Sequence, residues 1–218
     1  MYSSIQILGF GPYYIPVLYD LIRQNRISDN IEVFKNLPSV VKPIINTKPF
    51  DLVIHEGELV LNKESPCVFG VSGGNNKHGV FDYFQKKFDV TEQAYISLID
   101  NSCSIALSTE IGLGCVFEQN ISVSAQTKVG FGVSVKRGVS IGHHCVIGNF
   151  VDINPGTTVA GKVEIGHGTI IGAGSVILDG VQIGENSIIG AGSIVTKNIP
   201  SNVIAYGSPC KVVRENEV

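Results

Sequence analysis

The sequence predicts an α/β N-terminal domain, then a parallel β-helix of hexapeptide repeats with five to six coils, and a short C-terminal tail. Three observations predict this. An apolar residue recurs at every sixth position without a slip, from Ile99, Ile105, Ile111 and Phe117 through to Ile183, Ile189 and Val195, which is (195 − 99)/6 + 1 = 17 occurrences. With apolar residues at 44% of the chain, chance would give such a run about once in a million. The residue four places further on is small or β-branched, as at Cys103, Thr109, Cys115, Thr127, Cys145, Thr157, Thr169 and Ser187, and Gly often follows the apolar residue, as at Gly142, Gly166 and Gly172. A period of six suits neither a helix nor an alternating strand, but it suits short flat strands separated by turns. Before residue 99, strand-like apolar runs alternate with helical spacing, the pattern of an open α/β sheet.

The elements follow in order. Ile5 to Gly9 reads as a strand, and Gly9-Phe10-Gly11-Pro12 as the turn after it. Tyr13 to Arg23 has helical spacing at Ile15, Leu18, Leu21 and Ile22; Pro16 fits only a first turn, so the helix starts near it. Ile31–Phe34, Leu52–His55 and Cys67–Val71 read as strands, Ser72-Gly73-Gly74-Asn75 as a turn, and Val80–Phe88 as a second helix. These predict a domain over residues 1–90 and a β-helix with its tail over 91–218. Three hexapeptides close one triangular coil, so residues 18 apart stack at about the 4.8 Å interstrand spacing. The repeat ends at Val195, and Gly207-Ser208-Pro209 leads into the tail.

Composition narrows the function. The chain has 218 residues, a net charge of −3 and a pI near 5.9, which gives no basic footprint for nucleic acid or a membrane surface. No apolar run reaches the roughly 18 residues of a membrane helix, and Met1–Gly9 lacks the basic start of a signal peptide. The five cysteines are scattered, three of them (Cys103, Cys115, Cys145) at inward repeat positions, as expected of reduced thiols acting as small core residues in a cytoplasmic protein.

His143 is the first candidate for chemistry. It occupies an outward position, with Ala125 below and Gly161 above in its column, so it would face a groove able to hold an extended ligand. The alternative is a solvated surface histidine. Asp152 is nine residues away, half a coil around, so one chain alone would not bring it to His143; a trimer packed prism to prism would. Its alternative is a turn residue before Asn154-Pro155-Gly156. Glu118 stacks beneath Lys136, either as a surface ion pair worth under about 1 kcal/mol or as a second acid/base group. Ala173 and Ala191 stack above Pro155, leaving a bare column. Gly9-Phe10-Gly11 lacks the third glycine of a dinucleotide fingerprint, and Phe34-Lys35-Asn36 stands where an acid would be needed, so a nicotinamide cofactor is not expected. Gly9, Gly11, Gly73 and Asn75, in turns after strands, remain candidates for phosphate or sugar contact.

The stretches GVSIGHHCVIGNFVDINPGTTVAGKVEIGHGTIIGAGSVI and IIGAGSIVTKNIPSNVIAYGSPCKVV resemble the left-handed β-helix sugar acyltransferases of the sialic acid O-acetyltransferase and bacillosamine-pathway N-acetyltransferase type. The resemblance spans essentially the whole chain and implies a left-handed coil, which spacing alone does not. It also implies an acyl-CoA-dependent N-acyltransferase acting on a nucleotide-linked amino sugar, as a homotrimer with sites at subunit interfaces. His143 then matches the general base. Gly161, Ala173 and Ala191 match positions along the coenzyme A arm, and Lys211, in Gly207-Ser208-Pro209-Cys210-Lys211, lies in the region near its adenine. Three departures stand out. His144 follows His143 where relatives often carry an acid, Asp152 replaces a histidine that contacts coenzyme A, and GFGPY replaces a GAGGH-like turn. The first predicts a loosely oriented His143, whose removal costs no more than the lower end of the usual 10²–10⁴-fold, with Glu118 or the leaving thiolate as alternative proton acceptors. Within the family the chain looks similar to the anthrose-pathway N-acyltransferase, which implies a dTDP-4-amino-4,6-dideoxy sugar and acetyl-CoA or 3-hydroxybutyryl-CoA as donor, with no metal. Other readings are sugar O-acetylation and a zinc enzyme of the γ-carbonic-anhydrase kind using His143, His144 and His167. A scaffold or ice-binding solenoid would need regular exposed threonine columns, which are missing here.

Overall fold

The computed structural model describes residues 1–36 and 52–217. The chain divides into two compact units, Met1–Ser72 with Asn76–Leu98, and Gly73–Asn75 with Ile99–Val218.

Among the described residues, the first unit holds a four-stranded parallel sheet of β1 (Ile5–Leu8), β2 (Ile31–Phe34), β3 (Val53–His55) and β4 (Cys67–Phe69), in the order β3-β2-β1-β4. Every residue of β1 is buried, as expected of a strand flanked on both sides by parallel neighbours. Helix α1 (Ile15–Gln24) begins where Pro16 is tolerated, with Ile15, Leu18, Leu21 and Ile22 buried. The order places successive strands β2 and β3 on one side of β1 and β4 on the other, so the chain reverses its winding between β1 and β4. Loops at the carboxyl ends of such a strand pair form a crevice.

Helix α2 spans Gly74–Phe88, six residues longer at its start than the sequence pattern predicts. The turn expected over Ser72–Asn75 is therefore only partly a turn, because Gly74 and Asn75 already lie in the helix. The reason is the inward stripe Gly74, Lys77, Val80, Phe81 and Phe84, all buried. Its first two members are a glycine and a lysine, so apolar periodicity becomes visible only at Val80.

From Leu98 to Val195 run seventeen two-residue strands, β5 (Leu98–Ile99) to β21 (Ile194–Val195), on three parallel sheets. The first face runs from Ser104–Ile105 through Ser140–Ile141 to Ile194–Val195, and the second from Glu110–Ile111 through Val146–Ile147 to Gln182–Ile183. The third runs from Leu98–Ile99 through Val116–Phe117 and Asp152–Ile153 to Ile188–Ile189. Every register pairs residues 18 apart, such as Ile141 with Val159 and Ile153 with Ile171. The six-residue apolar column forms the core. The coil is left-handed, as the resemblance implied. The tail forms a hairpin of β22 (Val203–Gly207) and β23 (Cys210–Glu215), and β22 adds to the third face in parallel with Ile188–Ile189.

Two further columns explain the repeat's small residues. Where a glycine follows the inward apolar residue, it lies against the next coil: a Cβ on Gly142 would be 2.5 Å from the Ala160 carbonyl carbon, and one on Gly166 would be 2.4 Å from the Glu185 nitrogen. The inward small residue bonds the carbonyl fifteen positions on. Thr127 Oγ1 donates to Gly142 O at 2.8 Å, Thr169 Oγ1 to Gly184 O at 2.7 Å and Ser175 Oγ to Gly190 O at 3.1 Å. A buried hydroxyl would otherwise cost free energy, so these positions take a donor short enough to reach the neighbouring coil. Among the described residues no helix is long and apolar enough to cross a membrane.

Candidate active site

The corner between the first and second faces carries the most concentrated chemistry. His143 follows Ser140–Ile141 there, exposed as the sequence predicted, and its column reads Ala125, His143, Gly161, Asp179. Gly161 is buried beneath the His143 ring: a Cβ built on it would be 2.8 Å from both Cε1 and Nε2 of His143 and 2.9 Å from Asp179 Oδ1. An imidazole edge and a carboxylate oxygen therefore close over Gly161, in the space that a side chain there would take. The other Asp179 oxygen, Oδ2, lies 3.6 Å from Lys162 Nζ. Asp179 is not among the residues that the sequence pattern singles out, although it lies two 18-residue steps from His143 in the same column.

His144 changes the expectation of a loose base. Its φ of 58° places it in the left-handed region, and its Nδ1 lies 3.0 Å from His143 Nδ1, with the two rings edge to face at 87°. A histidine thus fills the orienting place that the departure from an acid seemed to leave vacant. When His143 Nδ1–H donates to His144 Nδ1, His143 Nε2 keeps a lone pair, as a proton acceptor needs. That nitrogen is the one over Gly161. The Gly161 carbonyl accepts from Gly180 N–H at 2.9 Å.

Glu118 lies at a different corner, between the third and first faces. It is buried, which corrects the surface ion pair expected from stacking. Oε1 lies 3.7 Å from Lys136 Nζ, and Oε2 accepts from Arg137 N–H at 3.2 Å and from Arg137 Nη1 at 3.4 Å. Ala173 and Ala191 stack at this same corner and are exposed, with Gly192 N–H donating to Ala173 O at 2.8 Å. Asp152 is in a strand rather than a turn, outward on the third face between Ser134 and Ile170, and buried. Its place in the register hid this burial from a reading based on neighbouring turn formers. Lys211 is exposed on β23 opposite Tyr206. His167 lies at the third corner, edge-on to Phe150, away from His143 and His144, and among the described residues no three metal-ligating side chains converge.

In the first unit, Gly9 and Gly11 lie at the winding reversal. Gly11 N–H donates to Gly70 O at 2.7 Å and Gly70 N–H to Leu8 O at 2.7 Å. A Cβ on Gly70 would fall 2.2 Å from Gly9 O, so the loops after β1 and β4 meet only because this residue is glycine. The Lys35 ammonium lies 4.5 Å from the Phe10 ring centroid and pairs with Glu56, a buried cation beside the β1 turn that sequence reading passed over. Gly73 and Asn75 group with the second unit, Gly73 at a φ of 93° and Asn75 exposed in the first turn of α2.

The fold and the repeat define the class: a hexapeptide-repeat left-handed β-helix with an N-terminal α/β unit. Residues 162–197 match the family model for the bacterial transferase hexapeptide (six repeats). No curated protein sequence matches the chain. Among solved structures, the acetyltransferase domain of PglB from Neisseria gonorrhoeae FA1090 is similar over 97% of this chain and 100% of its own, at 21% identity and a TM-score of 0.83. PerB from Caulobacter crescentus, in complex with CoA and GDP-perosamine, is similar over 98% of each chain at 19% identity and a TM-score of 0.73. WeeI from Acinetobacter baumannii AYE is similar over 97% of this chain and 99% of its own, at 19% identity and a TM-score of 0.71. At these identities the likeness is one of fold, and the fold is that of the sugar acyltransferases the sequence resembles.

Proposed function

We propose that the protein is an acyl-CoA-dependent N-acyltransferase acting on the amino group of a nucleotide-linked amino sugar. The observation that carries this reading is the corner at Gly161, where the exposed His143 lays Nε2 over Gly161 beside Asp179 while its Nδ1 is tied to His144. An amine attacking a thioester must be neutral, and an imidazole with a free nitrogen is suited to take its proton. The backbone N–H of Gly161 is the proposed donor to the oxyanion that develops on the thioester carbonyl. In the first unit, the glycine turns at the β1/β4 reversal and the nearby Lys35 cation suit the phosphates of a nucleotide. The CoA and GDP-perosamine complex of PerB, and a PglB acetyltransferase domain in complex with acetyl coenzyme A, support the same pair of substrates.

In this reading the co-substrate is acetyl-CoA or another short acyl-CoA, with 3-hydroxybutyryl-CoA as the longer alternative, and the acceptor is a dTDP-4-amino-4,6-dideoxy sugar or a similar compound. Ala173 and Ala191 are proposed to line the pantetheine arm, with Asp152 and Lys211 further along the cofactor. Within one chain the alanine column and His143 occupy different corners, so a groove using both takes the corner of a neighbouring copy, and we propose a homotrimer. Gly73 and Asn75 are proposed as acceptor contacts. Glu118, held by two cations, is proposed to support the fold rather than accept the substrate's proton. The test is thiol release and product mass after incubation with acetyl-CoA and a panel of dTDP-, UDP- and GDP-linked 4-amino sugars. Transfer to nitrogen supports the assignment. Transfer only to hydroxyl groups moves it to O-acylation, and no thiol release with any acceptor overturns it.

A further inference from the structure

We propose that Asp179 is an acceptor-binding residue that selects a cationic amine, forming with His143 a two-point receptor over Gly161. The inference deepens the N-acyltransferase reading and rests on it. Asp179 Oδ1 and His143 Nε2 approach the same point from coils above and below, each within 3 Å of where a Gly161 side chain would begin. The Asp179 oxygen turned away from that point faces Lys162 Nζ at 3.6 Å, and His143 Nδ1 is occupied by His144 at 3.0 Å. Each group is therefore engaged on its far side, with its remaining acceptor turned inward. Two acceptors, one of them anionic, side by side over one glycine and both on exposed side chains, match a group that donates more than one hydrogen and carries positive charge. A primary ammonium does so; a sugar hydroxyl, with one hydrogen and no charge, satisfies only one of the two.

The chemistry balances. The sugar ammonium gives one proton to His143 Nε2, which passes it to solvent, while Asp179 retains the amine through a second N–H. The nitrogen lone pair then forms the C–N bond at the thioester carbonyl. As the C–S bond breaks, the second proton leaves nitrogen and reaches the departing thiolate by way of His143, and the third stays on the amide. Asp179 keeps its own protonation state throughout. Its part is to hold the ammonium against His143, which raises the local population of amine ready to lose a proton.

The experiment compares wild type, Asp179→Asn and Lys162→Met with a nucleotide-linked amino sugar, its hydroxyl analogue and acetyl-CoA. Asp179 is exposed in the chain, and circular dichroism checks that each variant folds. Asp179→Asn is expected to raise KM for the amino sugar about tenfold or more, the loss of one charge-assisted hydrogen bond. KM for acetyl-CoA and the inhibition constant of the hydroxyl analogue are expected to stay within about twofold. Lys162→Met removes only the competing cation and is expected to leave the amino-sugar KM equal to or below that of wild type. An unchanged amino-sugar KM in Asp179→Asn, with the wild type active, overturns the role of Asp179 alone. Equal losses for amine, hydroxyl analogue and acetyl-CoA also overturn it, since they report a distorted groove. A wild type that transfers to no amine overturns both this inference and the reading beneath it.

Discussion

His143 and His144 face each other through their Nδ1 atoms at 3.0 Å, a contact made possible by the left-handed backbone of His144. One of the two nitrogens must carry the hydrogen, so the tautomer of each ring sets that of the other. The arrangement that leaves His143 Nε2 free makes His144 a neutral acceptor in the place of a carboxylate.

His143→Ala is therefore expected to lose the full 10²–10⁴-fold in kcat/KM that a positioned histidine contributes, more than a loosely held ring would. Steady-state kinetics with folding verified provide the measurement. A loss below about a hundredfold would return the proton to the leaving thiolate or another acceptor.

His144→Ala removes one hydrogen bond and should cost about fivefold in kcat, the equivalent of about 1 kcal/mol, with little change in KM for acetyl-CoA. His144→Asn should recover most of that, because Asn offers an acceptor and tolerates the left-handed region. If Asn behaves no better than Ala, orientation of His143 does not pass through this contact.

Glu118→Gln removes a buried negative charge from beside Lys136 and Arg137 and should destabilise the fold by about 3 kcal/mol. The folded fraction should retain wild-type kcat. Urea unfolding and kinetics on the same preparation separate the two effects, and a large drop in kcat at unchanged stability would restore Glu118 as an acid/base group.

Gly172→Ala and Gly174→Ala, two residues apart, should differ sharply. A Cβ on Gly172 would lie 2.4 Å from the Ala191 nitrogen, while one on Gly174 would meet nothing within 4 Å and pay only for its φ of 66°. The first should cost at least the upper end of the 1–3 kcal/mol typical of overpacking, and the second about 1 kcal/mol. Denaturant midpoints provide the comparison, and equal costs would mean that neighbouring coils separate easily.

Alkaline pH should weaken the first unit. Burial pushes the Cys67 thiol from 9.0 up to about 12 and raises Tyr95 as well. Both are neutral in the fold, so their contribution is complete below the ordinary thiol value, and that of Cys67 is lost as pH climbs from 9.0 to about 12. The slope should approach about 1.4 kcal/mol per pH unit for each group that ionises only when unfolded. Unfolding free energies at about pH 8 and about pH 10 test this, with Cys67→Ala expected to flatten the decline.

The β-helix was legible because its period is set by local geometry. Each repeat needs an apolar residue inward, a short side chain four places on, and a residue without a Cβ or with little bulk where the next coil approaches, and Ile141, Cys145 and Gly142 satisfy these in one repeat. The 18-residue register alone places Ala125, His143 and Gly161 in one column. The first turns of helix α2 are invisible to apolar periodicity because Lys77, an inward residue, carries no apolar signal.

What lay beyond the chain's pattern was depth and side-chain orientation. Asp152 and Glu118 sit at outward repeat positions yet are buried, and spacing says which way a residue points but not what covers it. The meeting of His143 with His144 depends on one positive φ, and the approach of Asp179 to Gly161 depends on side-chain torsions within a stacked column. Periodicity follows from sterics and burial repeated along the backbone, so it survives in one dimension. The site is made by side chains whose orientations are settled only once successive coils are in contact.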